Sequence, residues 1–103
     1  MAGKTVIVTG GANGIGFACA RRFAQDGFNV VIADRSEAAG EQAVQDLEGL
    51  AGQATFIQCD VSQKLEVHNL VAEAISQFNQ IDVLINNAAV SYTHLTLPTK
   101  RIV

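Results

Sequence analysis

A glycine-rich turn between an apolar run and a helix-like segment constrains the fold of this chain more than any other feature. Residues 6–8 (Val-Ile-Val) are typical of a strand buried on both faces of a parallel sheet, and they lead into residues 9–16 (Thr-Gly-Gly-Ala-Asn-Gly-Ile-Gly). Glycine permits a tight turn and a close approach of the backbone to a pyrophosphate, and the N–H groups at the start of the next helix attract an anion. This context predicts a dinucleotide-binding turn, with a plain connecting turn as the alternative.

Strand-like and helix-like segments alternate beyond this turn. Short apolar runs predict buried strands at residues 6–8, 30–33, 55–59 and 83–85. Helical spacing predicts three helices between them, the first over residues 15–26 and the others capped by Ser36 and Ser62. Their expected apolar stripes are Ile15, Ala18, Cys19 and Phe23 in the first helix, Ala39, Ala43, Leu47 and Leu50 in the second, and Val67, Leu70, Val71, Ala74 and Phe78 in the third.

The order βαβαβαβ predicts an α/β protein, the N-terminal half of a doubly wound parallel-sheet (Rossmann) fold. Right-handed crossovers place helices on both faces of such a sheet. Ligands bind at the carboxyl ends of its strands, in the crevice where the strand order reverses, which here lies between the first and fourth strands. The polar residues that follow the strands are therefore the candidate binding residues.

Asp34 ends the second predicted strand, eighteen residues beyond Gly16. A dinucleotide fold places here the carboxylate that accepts hydrogen bonds from the adenosine ribose, and this carboxylate would repel a 2′-phosphate. Arg35 has two interpretations, because it could pair with a 2′-phosphate or be a solvated charge beside Asp34. The balance favours NAD over NADP, since the glycine turn itself contains no basic residue.

Two further polar sites follow the third and fourth strands. Asp60, with Val61, can reach the adenine rim of the same pocket, although Asp60 could instead be a first-turn residue of the next helix. Asn86 and Asn87 can satisfy backbone groups at a buried strand end, with a plain turn as the alternative.

These motifs together resemble the classical branch of the short-chain dehydrogenase/reductase family. The glycine pattern, Asp34, residues 59–61 (Cys-Asp-Val) and residues 86–89 (Asn-Asn-Ala-Ala) match it in order and spacing over residues 1–89, with Ala89 where the family more often has glycine. The resemblance implies that Asp60 contacts adenine and that Asn86 and Asn87 brace the sheet beside the cofactor. The cofactor-binding candidates are Gly10, Asn13, Gly14, Ile15, Gly16, Asp34, Arg35, Asp60, Val61, Asn87 and Ala88.

The resemblance also implies an activity, hydride transfer between NAD(P) and an alcohol or ketone, as in 3-oxoacyl-acyl-carrier-protein reductases or sugar and polyol dehydrogenases. The family uses a Ser and a Tyr-x-x-x-Lys pair, whereas Tyr92 and Lys100 lie eight residues apart. We therefore assign no catalytic residue and no metal ligand, and we expect this chain to be inactive. The full-length parent is expected to be a homo-oligomer.

Residues 90–103 fit neither a helical nor a strand pattern and contain the only Pro and the only Tyr. Residues 90–99 (Val-Ser-Tyr-Thr-His-Leu-Thr-Leu-Pro-Thr) resemble a translation of the adapter of a transposon-based sequencing library. We expect residues 1–89 to be a partial NAD(P)-binding domain and residues 90–103 to be an unstructured, non-native read-through tail.

Composition narrows the remaining alternatives. A net charge of −3 and the lack of a basic patch disfavour nucleic acid as a partner, and no apolar run is long enough to span a membrane. Without a targeting segment the expected compartment is the cytoplasm, where Cys19 and Cys59 would be reduced, small buried hydrophobes. A non-catalytic nucleotide-binding module and an S-adenosylmethionine-dependent methyltransferase remain as alternative functions.

Overall fold

A computed structural model describes residues 3–87 of the chain, and in it strands and helices alternate as the sequence predicts. The elements are β1 (Thr5–Thr9), α1 (Gly14–Gln25), β2 (Asn29–Asp34), α2 (Glu37–Asp46), β3 (Ala54–Gln58), α3 (Lys64–Phe78) and β4 (Val83–Asn86). Ala88 and residues 90–103, about which the sequence makes predictions, lie outside the described residues.

The four strands form one parallel sheet in the order β3-β2-β1-β4. Val8 of β1 is in register with Ile32 of β2 on one side and with Ile85 of β4 on the other. The chain proceeds outward from β1 to β3 and then returns to the opposite side for β4, so the strand order reverses at β1. The α/β prediction and the place of the β1–β4 crevice are thereby confirmed.

Hydrophobic side chains pack on both faces of the sheet. Val6, Val8, Val30 and Ile32 lie fully buried on the face covered by α1 and α2. The opposite face carries Ile7, Val31 and Leu84 beneath α3, whose buried residues are Val67, Leu70, Val71 and Ala74. The predicted stripe of α3 is confirmed, with Phe78 half-buried at its end.

The predicted apolar stripe of α1 is wrong except for Phe23, which packs half-buried against the core. The buried residues of α1 are Gly16, Ala20 and Ala24, whereas Ala18 is exposed and Ile15 is 77% exposed. The helix crosses the sheet so closely that a Cβ on Gly16 would lie 2.2 Å from the Gly10 carbonyl oxygen. Small residues spaced four apart therefore face the sheet, and the larger Phe17 and Phe23 pack half-buried at the margin of the same core. Cys19 is consequently only half-buried, unlike Cys59.

One predicted helix cap is confirmed and the other is wrong. Ser36 Oγ accepts a hydrogen bond from Ala39 N–H at 3.2 Å and caps α2, whose inward residue Ala43 is buried. The N-cap of α3 is Gln63 rather than Ser62. The Ser62 hydroxyl instead donates to the Asp60 carboxylate at 2.6 Å. A serine hydroxyl close to a carboxylate makes the stronger, charge-assisted bond rather than a cap.

Smaller differences concern the ends of α2 and β3. Leu47 is the C-cap of α2 and is buried, while Leu50 lies beyond the helix and packs against the core from the connecting segment. Cys59 follows β3 instead of ending it, although its N–H still bonds to the Asp34 carbonyl at 2.9 Å.

Candidate functional site

The residues predicted to bind a ligand lie along one edge of the sheet. Gly10 follows β1, Asp34 ends β2, Asp60 follows β3 and Asn87 follows β4. Because the strands are parallel, their carboxyl ends meet at this edge, on both sides of the point where the strand order reverses. The sheet therefore brings together motifs that are up to 77 residues apart in the sequence.

The glycine turn is held in a conformation that needs glycine. Gly10 and Gly14 have φ values of 65° and 58°, in the left-handed region that side chains disfavour. The Gly10 N–H donates to the Ala33 carbonyl at 2.7 Å and fixes the turn against β2. A Cβ on Gly14 would meet no atom within 4 Å, so open space adjoins the backbone at this point. An anionic ligand could approach the backbone closely here.

The first turn of α1 presents N–H groups that the helix does not use. Asn13 is the N-cap with an extended backbone, and its side chain makes no capping bond within the described part of the chain. The first helical bond runs from Phe17 N–H to the Asn13 carbonyl at 3.2 Å. The N–H groups of Gly14, Ile15 and Gly16 therefore have no intrahelical acceptor, and no acidic residue offsets the positive end of the helix. This donor set suits a pyrophosphate.

Asp34 connects the glycine turn to the start of α2. Its Oδ2 atom accepts from Ala12 N–H at 3.3 Å, and its Oδ1 atom accepts from Ser36 N–H at 3.1 Å. Each carboxylate oxygen can accept more than one bond, so both keep capacity for a donor from a ligand. The side chain is half-buried and fixed by two backbone groups, which suits a carboxylate that orients a pair of hydroxyls.

Arg35 is directed toward Asp60. Its Nε atom lies 4.0 Å from Asp60 Oδ2, with the Arg35 side chain 78% exposed. Gln58 holds the backbone beneath it, because Gln58 Nε2 donates to the Arg35 carbonyl at 3.1 Å. An exposed pair at this distance contributes little to stability, about 0–1 kcal/mol.

Asp60 is the acceptor of a small local network. Its Oδ1 atom accepts from both the hydroxyl and the N–H of Ser62, at 2.6 and 3.0 Å. These bonds, the hydroxyl first, and the nearby charge of Arg35 hold the pKa of Asp60 below its ordinary value of 3.8. The Asp60 N–H donates to Glu66 Oε1 at 2.9 Å, which ties the strand end to α3. Asp60 is therefore ionised at neutral pH and held in place.

Asn87 joins β4 to the glycine turn. Its Nδ2 atom donates to the Gly10 carbonyl at 3.2 Å, and its backbone N–H donates to Thr9 Oγ1 at 3.1 Å. The Thr9 hydroxyl in turn donates to the Ile85 carbonyl at 3.2 Å. A Cβ on Gly16 would lie 2.8 Å from Asn87 Nδ2, so the missing side chain at Gly16 also makes room for this amide.

Cys59 lies beside the site and takes no visible part in it. Burial, with smaller effects of the Glu66 and Asp60 charges, raises the pKa of its thiol to about 11. The thiol therefore stays protonated at neutral pH.

Within residues 3–87, no group of three His, Cys, Asp or Glu side chains is arranged to hold a metal ion. None of the three helices in this range combines the length and apolar composition needed to cross a membrane.

Sequence reasoning missed four residues that shape the site. Thr9, Gln58 and Glu66 bond to predicted site residues or to their backbone, and Ser62 bonds to Asp60 in place of its predicted cap. Val61 is half-buried beside the core under α3, and Asn13, Gly14 and Ile15 are exposed at the helix N-terminus. Thr9 could have been identified from one signal in the sequence, its hydroxyl at the end of the buried strand β1.

Comparison with known protein families gives a match over almost the whole chain. The model of the short chain dehydrogenase family matches residues 4–101. This range includes most of residues 90–103, so the expected boundary after residue 89 stays a prediction.

Individual relatives give the same result. The chain is 44% identical over 87 residues to an L-fucose dehydrogenase of Bos taurus, covering 84% of this chain and 31% of that protein. It is 36% identical over 97 residues to a 3-oxoacyl-[acyl-carrier-protein] reductase of Chlamydia pneumoniae, covering 94% and 39%. A crystal structure of a hydroxysteroid dehydrogenase from Escherichia coli superposes with a TM-score of 0.81 at 38% identity, covering 85% and 36%. The chain thus spans about a third of the length of the relatives it matches.

Proposed function

The chain belongs to the short chain dehydrogenase family, and from this premise we propose that it is the N-terminal, cofactor-binding part of an oxidoreductase. Members of this family use NAD or NADP. The observation that carries the proposal is the glycine turn, because its open backbone meets the unused N–H groups of α1. The parent protein would transfer hydride between the nicotinamide and an alcohol or ketone.

The proposed binding mode follows the carboxyl edge of the sheet. The turn, with Gly10 and Asn13 to Gly16, holds the pyrophosphate at the N-terminus of α1. Asp34 accepts hydrogen bonds from the adenosine ribose, and Asp60 and Val61 border the adenine. Asn87 borders the nicotinamide half, and Ala88, the next residue in the sequence, is proposed to bind the same half. The residues of this chain thus bind and orient the cofactor, and the bound cofactor supplies the hydride chemistry.

We propose NAD as the preferred cofactor. A 2′-phosphate about 4 Å from the Asp34 carboxylate would be repelled by roughly 1–4 kcal/mol, equivalent to about tenfold to several hundredfold in affinity. Arg35 is the cation that could offset this repulsion. Its proximity to Asp60, at 4.0 Å, supports the interpretation that it balances the neighbouring carboxylate.

Exchanging one charge tests this preference. Asp34→Asn keeps the shape but removes the charge, so the Kd for NADPH should fall relative to that for NADH by about tenfold or more. Asp46→Asn, the same exchange at the exposed end of α2, should leave the ratio unchanged. Arg35→Ala should change it by less than about threefold. A larger loss of NADPH affinity in Arg35→Ala would show that Arg35 binds the 2′-phosphate and would reverse the assignment.

The reaction of the whole parent is the wider part of the proposal. The names of the relatives cover sugar, 3-oxoacyl and hydroxysteroid substrates, so we propose an alcohol or ketone without choosing among these classes. A longer coding sequence should contain a Ser and a Tyr-x-x-x-Lys pair after β4, and its product should oxidise or reduce such a substrate. Residues 1–103 alone should show no turnover. A parent that lacks these residues but binds NADH would instead be a non-catalytic nucleotide-binding module.

A further inference from the structure

A groove follows the outer edge of β3 from the middle of the strand to its carboxyl end, where Gln58 and Glu66 adjoin Asp60. Phe56 and the two residues after it form its floor, and α2 and α3 form its two walls. In the sheet order β3-β2-β1-β4, β3 pairs only with β2 among the described strands. Every residue of β3 is half-buried or exposed, so solvent reaches this edge.

The outer edge of β3 carries backbone groups that its neighbour does not use. In a parallel pair, alternate residues direct both N–H and C=O at the partner strand. The Gln53 carbonyl accepts from Val30 N–H at 2.7 Å, and Cys59 N–H donates to the Asp34 carbonyl at 2.9 Å, so the odd-numbered residues face β2. The residues of β3 that face outward are then Ala54, Phe56 and Gln58. A further strand could pair with them.

Both walls of the groove are acidic. Glu37 and Glu41 of α2 line one side, and Glu66 and Glu73 of α3 line the other. No lysine or arginine is among the nine lining residues of this groove. Successive side chains of an added strand would point alternately toward α2 and toward α3. Basic residues on either face of such a strand would therefore find a carboxylate.

We propose that this groove binds an extended, lysine- or arginine-rich polypeptide segment, which adds to the sheet as a strand beside β3. The occupant should be basic because the walls of the groove are acidic, and it should be extended because the edge of β3 offers backbone groups for pairing. A second copy of this chain fits poorly, because the chain carries a net charge of −3 and pairing β3 with β3 would bring two sets of four glutamates together.

A peptide titration tests the proposal on the full 103-residue chain. The probe is a fluorescein-labelled peptide of about eight residues with blocked ends, in which pairs of Lys alternate with pairs of Val so that lysines face both α2 and α3; this matches the length of a strand. Fluorescence anisotropy should show saturable binding that weakens as salt is raised, since exposed charges are screened. The equivalent Glu-Val peptide should not bind. Failure of the Lys-Val peptide to bind a folded chain at low salt would overturn the proposal.

Two double variants distinguish binding in the groove from general electrostatic attraction. Glu41→Gln combined with Glu73→Gln should weaken binding by roughly three- to thirtyfold, because each exposed pair contributes modestly. Asp26→Asn combined with Glu48→Gln removes the same charge elsewhere and should have less than about a twofold effect. Equal losses in both double variants would mean non-specific attraction and would overturn the proposal.

A proline variant tests whether the bound segment pairs with β3 as an added strand. Gln58→Pro removes an outward N–H while the Pro ring is tolerated at an edge strand, and Gln58→Ala is its control for the lost side chain. Binding should weaken at least several-fold in Gln58→Pro relative to Gln58→Ala, with circular dichroism verifying the fold of both. Equal binding by the two variants would contradict the proposal, as would light scattering that shows a dimer of the unmodified chain and a monomer of Gln58→Pro.

Discussion

Two threonines at opposite ends of β1 differ in what their buried hydroxyls contact. Thr5 and Thr9 are both fully buried. Thr9 Oγ1 donates to the Ile85 carbonyl and accepts from Asn87 N–H, whereas within residues 3–87 no partner reaches Thr5 Oγ1. A buried hydroxyl without a partner lowers stability, and a bonded one raises it.

The same substitution should therefore have opposite effects at the two positions. Thr9→Val removes the hydroxyl that joins the Ile85 carbonyl to the Asn87 N–H and should reduce the free energy of unfolding by about 1–3 kcal/mol. Thr5→Val removes a desolvated hydroxyl and should be neutral or stabilising by up to about 1 kcal/mol. Urea unfolding followed by circular dichroism measures both. Equal destabilisation by the two substitutions would show that the Thr9 bonds do not hold β4 to β1.

Ser62 controls the ionisation of Asp60. Removing its hydroxyl in Ser62→Ala should move the pKa of Asp60 up toward 3.8, as followed by an NMR titration of the side-chain carboxyl. Because the folded-state pKa is lowered, the stabilisation from this network is present above a pH of about 4 and is lost as the pH falls through the lowered pKa. Ser76→Ala, on the exposed face of α3, is the control. An unchanged Asp60 pKa in Ser62→Ala would refute this cause.

At the residue scale, the sequence predicted which residues lie at the site better than it predicted the hydrogen bonds between them. Asp34, Asp60 and Asn87 follow strands, and the parallel order alone brings them to one edge of the sheet. The bonds from Thr9 to Asn87 and from Asp60 to Glu66 depend on side-chain geometry between separate elements, which no local pattern contains.

At the element scale, close helix–sheet packing explains both an unusual glycine and a wrong prediction. Gly40 lies inside α2, where glycine lowers helix propensity, and a Cβ there would meet the Phe56 ring at 2.1 Å. The stripe of small residues in α1 has the same cause. Sequence periodicity identified all three helices, but it favoured the larger apolar residues in α1 because the closeness of a helix to the sheet is a tertiary property.

The effect of Gly40→Ala on stability should depend on whether Phe56 is present. Alone it should destabilise by about 1 kcal/mol, because overpacking against Phe56 costs about 1–3 kcal/mol and exceeds the gain in helix propensity of up to about 1 kcal/mol. In a Phe56→Val background the ring is gone, and the same change should stabilise by up to about 1 kcal/mol. A double-mutant cycle by thermal or urea unfolding measures this coupling. Additive effects would mean that the ring moves aside without cost.

At the scale of the whole molecule, the sheet presents two adjoining surfaces, which share Gln58 and Glu66. Its carboxyl edge carries the glycine turn, Asp34, Asp60 and Asn87, and the side of β3 carries the acidic groove. The alternation of elements predicted the first surface, because strand order determines where a parallel sheet opens. It did not predict the groove, because the glutamates of α2 and α3 come together only when both helices pack beside β3.

The most direct test of the central claim is a titration of the 103-residue chain with NADH, followed by NADH fluorescence, with S-adenosylmethionine as a competitor. We expect saturable binding of NADH, no displacement by S-adenosylmethionine, and loss of binding in Gly16→Ala, whose Cβ would lie 2.2 Å from the Gly10 carbonyl oxygen. Gly49→Ala, which strains a positive φ of 87° in the connection after α2, should keep binding. Absence of NADH binding by a chain that circular dichroism shows to be folded, or unchanged binding in Gly16→Ala, would contradict the account.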